Sequence, residues 1–124
     1  MNMFLFFSHF LTDEQKKDAM KMGVENFINL PDNLQNMWSN VPVELENIEE
    51  YSKPFMEFLD KNAKKGDYAL IQGDFVLTCK LVNFAKKTGV VPVYSTTKRE
   101  VVEKKEDDKI TKISKFKHIK FRKY

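Results

Sequence analysis

The chain has 124 residues, a formal net charge of +3, 42% hydrophobic residues including eleven Phe, and a single Cys. That length supports one folded domain, residues 1–124, with a real core but no separate regulatory unit, and the lone Cys excludes an internal disulfide. No stretch approaches the roughly 20 apolar residues of a membrane helix, and Met1 to Phe7 lacks the basic leader of a signal peptide, so a soluble cytoplasmic protein is expected.

Met1 to Phe7 is a continuous apolar run, the pattern of a parallel strand covered on both faces. Thr12 and Gln15 have the spacing of a capping box, and Gly23 that of a C-cap, which predicts a helix over Asp13 to Met22. Val24 to Leu30 reads as a second strand, stopped by Pro31, and Asp32 to Ser39 as a short helix. Leu45, Ile48, Tyr51, Phe55, Phe58 and Leu59 recur at helical spacing, with Pro54 predicting a kink or two abutting helices, the second capped by Ser52. A third strand is expected over Asp67 to Gln72, then a helix from the Asp74 cap to Thr88 with Gly89 as C-cap, then a fourth strand over Val90 to Ser95. Apolar residues cover most of the circumference of that last helix, which predicts burial on more than one side, including Cys79, with the further cover coming either from a second copy or from the long middle helices. Arg99 to Tyr124 reads as a β-hairpin around the acidic turn Glu106-Asp107-Asp108, with either a bulge or a strand contacted on both faces where the parity of Phe116 and His118 gives way to that of Ile119 and Phe121.

Charge is unevenly placed. Residues 1–97 hold 10 Lys/Arg against 13 Asp/Glu, while residues 98–124 hold 11 against 5. The basic tail is either a solvated edge that blocks aggregation or one wall of an anion site.

Two strand ends carry ligand-grade residues. Gln72-Gly73-Asp74-Phe75 joins strand to helix in one step, where Gly73 would admit a phosphate to the helix amides, or where the turn is tight and Asp74 is only a cap. Ser95-Thr96-Thr97-Lys98-Arg99 gathers three hydroxyls and two cations in an expected polar turn, Arg99 offering a bidentate fork and Lys98 a point charge. In a parallel sheet Ser8 and His9 would face the same crevice, with His9 as base, phosphate ligand or plain turn residue. Trp38 and Asn40 could stack on and read a nucleobase, or Trp38 could be a core lid. His118 and Arg122 are weaker candidates. The scattered His and Cys give no metal-ligand spacing, and neither a Walker loop nor Gly-x-Ser-x-Gly is present.

Phe4-Leu5-Phe6-Phe7-Ser8-His9 with Leu11-Thr12, Leu34-Gln35 through Trp38-Ser39-Asn40, Gln72-Gly73-Asp74-Phe75, Val82-Asn83-Phe84-Ala85, Val93-Tyr94 through Thr96-Thr97-Lys98-Arg99, and Phe116-Lys117-His118 through Phe121-Arg122 together resemble a family of small CRISPR-associated proteins. It is the Csx series member numbered twenty, found beside type III CRISPR systems. The resemblance implies an α/β, Rossmann-like, CARF-related domain with a mostly parallel sheet, flanking helices and a C-terminal β-hairpin. It further implies a homodimer that binds cyclic oligoadenylate second messengers, with no cofactor, metal, membrane or long nucleic acid involved. The implied activity is that of a ring nuclease, converting cyclic tetra-adenylate to linear di-adenylate with a 2′,3′-cyclic phosphate; the alternative is a sponge that holds the ring uncut. Within that reading Lys98 and Arg99 are the expected charge stabilisers and His9 a proton shuttle. Ser8, Gln72, Gly73, Asp74, Phe75, Thr96, Thr97, Trp38 and Asn40 are the expected substrate contacts.

Overall fold

A computed structural model describes all 124 residues. Its elements are β1 (Asn2–Phe6), α1 (Asp13–Lys21), β2 (Asn26–Asn29), α2 (Asp32–Ser39), α3 (Glu49–Asn62), β3 (Tyr68–Ile71), α4 (Phe75–Thr88), β4 (Val91–Glu106) and β5 (Lys109–Lys123). The five strands form one sheet in the order β2-β1-β3-β4-β5, parallel throughout except for the antiparallel pair β4 and β5.

Alternate residues of β1 go to opposite faces of the sheet, which is why its run is apolar without interruption. Phe4 and Phe6 join a core with Trp38 of α2, Phe55 and Leu59 of α3, and Leu77 and Leu81 of α4. Met3 and Leu5 face the other way, onto Ala19 of α1, Val93 of β4 and Phe121 of β5. So α1 covers one face and α2, α3 and α4 the other, and the chain leaves β1 and β3 in opposite directions. At the far end of the sheet the buried Asp67 carboxylate accepts from Asn2 N (3.0 Å) and Lys64 N (2.8 Å), tying β1 to the entry of β3.

The caps stand where their sequence signatures put them. Thr12 and Gln15 form a complete capping box, Asp74 accepts from the amides of Val76 (3.1 Å) and Leu77 (3.0 Å), and Gly89 closes α4 at φ 80°, a left-handed conformation. Four expectations need correction. Pro54 lies inside α3 as one continuous helix, and Ser52 is a buried helical residue whose hydroxyl donates to the Glu49 carbonyl (2.7 Å). Leu45 precedes that helix in an irregular segment. Strand four does not end at Ser95: β4 runs on to Glu106, because β5 pairs with it from Val93 to Glu106. Helix α4 is not buried all round, for Phe75 is 93% exposed and Val76 and Cys79 are also open, while Val82 packs into its own core and Phe84 lies against it.

The hairpin turns at Asp107 (φ 41°) and Asp108 (φ 64°), the two positive-φ residues of a tight primed turn that suits the twist of paired strands. The expected bulge is present, the register shifting between Thr96 and Thr97 so that Ile119 has no partner. Beyond it, residues 97–117 form an exposed two-stranded arm.

Candidate functional site

In open α/β sheets ligands bind beyond the carboxyl ends of the strands, where the chain departs in opposite directions. Here the segment Phe7 to Thr12 leaves β1 at that edge and separates two cavities. One, about 360 Å³, is lined by Ser8, His9, Asp32, Gln35 and Ser39 among others. The second, about 410 Å³, lies over the ends of β1 and β3 and beside Ser95 to Thr97 within β4, lined by His9, Thr12, Gln15, Gln72, Ser95, Thr97 and His118 and rimmed by Phe7, Phe10 and Phe116. Phe10 is 99% exposed at its edge.

Hydrogen bonds knit the floor together. Gln72 N donates to Phe6 O (3.0 Å), and its side-chain Oε1 accepts from Ser95 N (2.9 Å), continuing the β3 to β4 ladder through a side chain. Gln35 Nε2 donates to Phe7 O (3.0 Å), and the Ser39 hydroxyl to that of Ser8 (3.1 Å). On the α1 side Ser95 Oγ lies 2.5 Å from His118 Nδ1, and His118 Nε2 lies 2.9 Å from Asp18 Oδ2. Gln15 Nε2 donates to Ser95 Oγ (3.3 Å), while Gln15 Oε1 accepts from Thr12 N (2.9 Å).

Of the residues singled out from sequence, Ser8, His9, Gln72 and Thr97 meet at this edge, with His9 shared by both cavities. Others do not. Because Ser95 to Arg99 is strand rather than turn, successive side chains alternate faces. Thr96 therefore points away from Ser95 and exchanges hydrogen bonds with the Lys120 backbone (2.8 and 3.2 Å). Lys98 pairs with Lys117 on one face of the arm, Arg99 donates to Ser114 Oγ (3.0 Å) on the other, and neither lines the cleft.

The Gly73 cradle also has a different cause. A Cβ on Gly73 would lie 2.9 Å from three atoms of the Trp38 indole, so glycine is required by the ring beneath it. The Asp74 carboxylate already occupies the first amides of α4. Trp38 is 2% exposed, set edge-on between Phe6 and Phe55, with Nε1 donating to Gln72 O (3.1 Å); it is a core residue that supports the floor and offers no face to a base. Asn40 ends α2, its amide donating to Asn36 O (2.9 Å), and Phe75 stands free at the start of α4. Asp18 and Gln15 were not legible as site residues, and His118 was only a weak candidate. The one sequence signal was the capping box, which fixes Gln15.

A family model described as "Uncharacterized protein MJ1673 family" matches residues 1–122. The chain is 54% identical over 123 residues to "Uncharacterized protein MJ1673" of Methanocaldococcus jannaschii, an alignment covering 98% of this chain and 95% of that protein. No solved structure matches the chain. A match of that extent leaves almost no residue of either chain outside the alignment, and the chain belongs to the MJ1673 family.

Proposed function

We propose that this protein is a metal-independent ring nuclease, a compact Rossmann-like relative of CARF domains. It binds cyclic tetra-adenylate as a homodimer in the cytoplasm and cleaves it to linear di-adenylate with a 2′,3′-cyclic phosphate, switching off type III CRISPR signalling. The observation that carries the reading is the cleft of about 410 Å³ at the carboxyl ends of β1 and β3, beside Ser95 and Thr97 of β4, lined by hydroxyl, amide and imidazole groups. Attack by a ribose 2′-hydroxyl on its own phosphodiester needs an in-line geometry and donors to the phosphoryl oxygens, groups of the kind that His9, Gln72 and Thr97 bring to the cleft wall. A twofold pair would present the same half-site twice to a ring of repeating units.

The arm supports a role in anion binding. Lys98 lies directly opposite Lys117, beside the pairs Thr96 with Lys120 and Glu100 with Lys115 on the same face. Like charges directly opposite in a ribbon are destabilising, and a polyphosphate ligand relieves that repulsion. Lys98 and Arg99 stand outside the cleft of their own chain, so in this reading they reach the ligand held by the twofold partner.

The absence of Lys or Arg from the cleft wall favours a second reading, sequestration without cleavage. Titration with cyclic tetra-adenylate, following both melting temperature and ligand mass, separates the two. A specific ligand at a hundredfold excess over its Kd stabilises the native state by about 2.7 kcal/mol, a rise of several degrees. That rise is expected together with a product of half the ring's mass; the rise with intact ring would establish sequestration, and no rise would contradict both.

A further inference from the structure

We infer that Asp18, His118 and Ser95 form a proton relay that serves the cleft, with Ser95 Oγ as the atom that takes the proton of the attacking hydroxyl. This rests on the ring-nuclease reading and names the base that such a reaction requires.

The hydrogen-bond roles follow from the chemistry of the groups. A carboxylate only accepts, so His118 Nε2 must carry its hydrogen toward Asp18 Oδ2 at 2.9 Å. The neutral ring then has its lone pair on Nδ1, which accepts from the Ser95 hydroxyl. Gln15 cannot reverse this polarity: Thr12 N holds its Oε1, so its NH2 faces Ser95 and donates to Oγ. Ser95 Oγ thus gives one hydrogen bond, receives one, and keeps a lone pair for a ligand hydroxyl. Relative to the serine-protease triad the ring nitrogens are exchanged, but one nitrogen still accepts while the other is fixed by a carboxylate.

Burial and placement argue for more than a structural tie. The His118 side chain is 5% exposed and Ser95 7%, so the pair is shielded from bulk water, yet both line the cleft. The bulge at Ile119 breaks the alternation of β5 and turns His118 onto the α1 face, where it meets Ser95 and Asp18. In the step itself the O2′–P bond forms and the P–O5′ bond breaks. The 2′-hydroxyl proton passes to Ser95 Oγ as the Ser95 proton passes to His118 Nδ1, leaving an imidazolium against the Asp18 carboxylate. O5′ takes a proton from water, and the imidazolium returns its own to the resulting hydroxide through Ser95, so no net charge is created. Ser95 is the catalytic residue of this step; His118 and Asp18 act through it as positioning and proton-storing groups.

The test is single-turnover and steady-state cleavage of cyclic tetra-adenylate by the full chain and by Ser95→Ala and Asp18→Asn, with melting temperatures measured alongside. Asp18→Asn is nearly isosteric and partly exposed, which guards against a misfolded variant. General-base loss predicts a fall in kcat of roughly a hundredfold in each variant, with KM within about twofold and the fold retained; a purely structural tie would lower the melting temperature and leave kcat alone. Wild-type kcat in both variants would overturn the relay while leaving the ring-nuclease reading intact. Absence of product from the wild type would overturn that reading and the relay with it.

Discussion

Gly73 and Trp38 are one feature, since the indole lies where a side chain on residue 73 would go. Gly73→Ala should destabilise the protein by roughly 1–3 kcal/mol, the usual cost of overpacking a filled core, because Trp38 is held by its bond to Gln72 O and by Phe6 and Phe55. Urea unfolding measures it, and a neutral result would show that the ring can move. Tyr124 gives a second test. Its hydroxyl donates to Ile71 O, and burial, with a smaller contribution from Tyr94, holds its pKa above the ordinary 10.0. A raised acid pKa means that the native state keeps the proton longer than the unfolded chain, so this stability is complete below pH 10.0 and is lost as pH rises through the native value. Tyr51, raised by burial too, adds to that slope. Tyr124→Phe should be less stable at neutral pH yet show a shallower alkaline decline in thermal unfolding; an unchanged slope would remove Tyr124 from the account. Residues governed by near neighbours were legible in sequence, as Thr12, Asp74 and Gly89 show. The Asp18–His118 and Gln15–Ser95 bonds join residues 100 and 80 apart, a separation that no local pattern encodes.

The arm formed by β4 and β5 is the element that sequence reading divided incorrectly. Polar β-branched residues after Val93 suggest a turn when read alone, and only the partner strand, some 25 residues further on, makes them a ribbon. The acidic turn and the bulge were readable, because both are local breaks in pattern. Outside the body, the arm has no apolar layer beneath it: Val101, Val102, Ile110 and Phe116 are all exposed. Amide exchange should therefore be fast over residues 98–117 and slow in β1 and β3, which sit inside the sheet. Asp108→Gly should slow exchange in the arm, since glycine takes a positive φ without steric cost, and leave global stability nearly unchanged. Equal protection of arm and body in the free protein would mean that a second copy already covers the ribbon.

At the scale of the molecule, a body of balanced charge, 13 Lys/Arg against 13 Asp/Glu, carries a basic arm, residues 97–117, with 8 against 5. The sheet order β2-β1-β3-β4-β5 gathers Ser8, His9, Gln72, Ser95 and Thr97 at one edge, and this much followed from reading strands that alternate with helices. No helix is long and apolar enough to cross a membrane. What sequence could not assign is which of the polar residues share a face, because that depends on β4 continuing through them. The most direct measurement is incubation of the purified protein with cyclic tetra-adenylate in the presence of EDTA, with products resolved by chromatography and mass. The account predicts linear di-adenylate ending in a 2′,3′-cyclic phosphate at a rate that EDTA does not change; an intact ring, or a linear product whose formation EDTA abolishes, would contradict it.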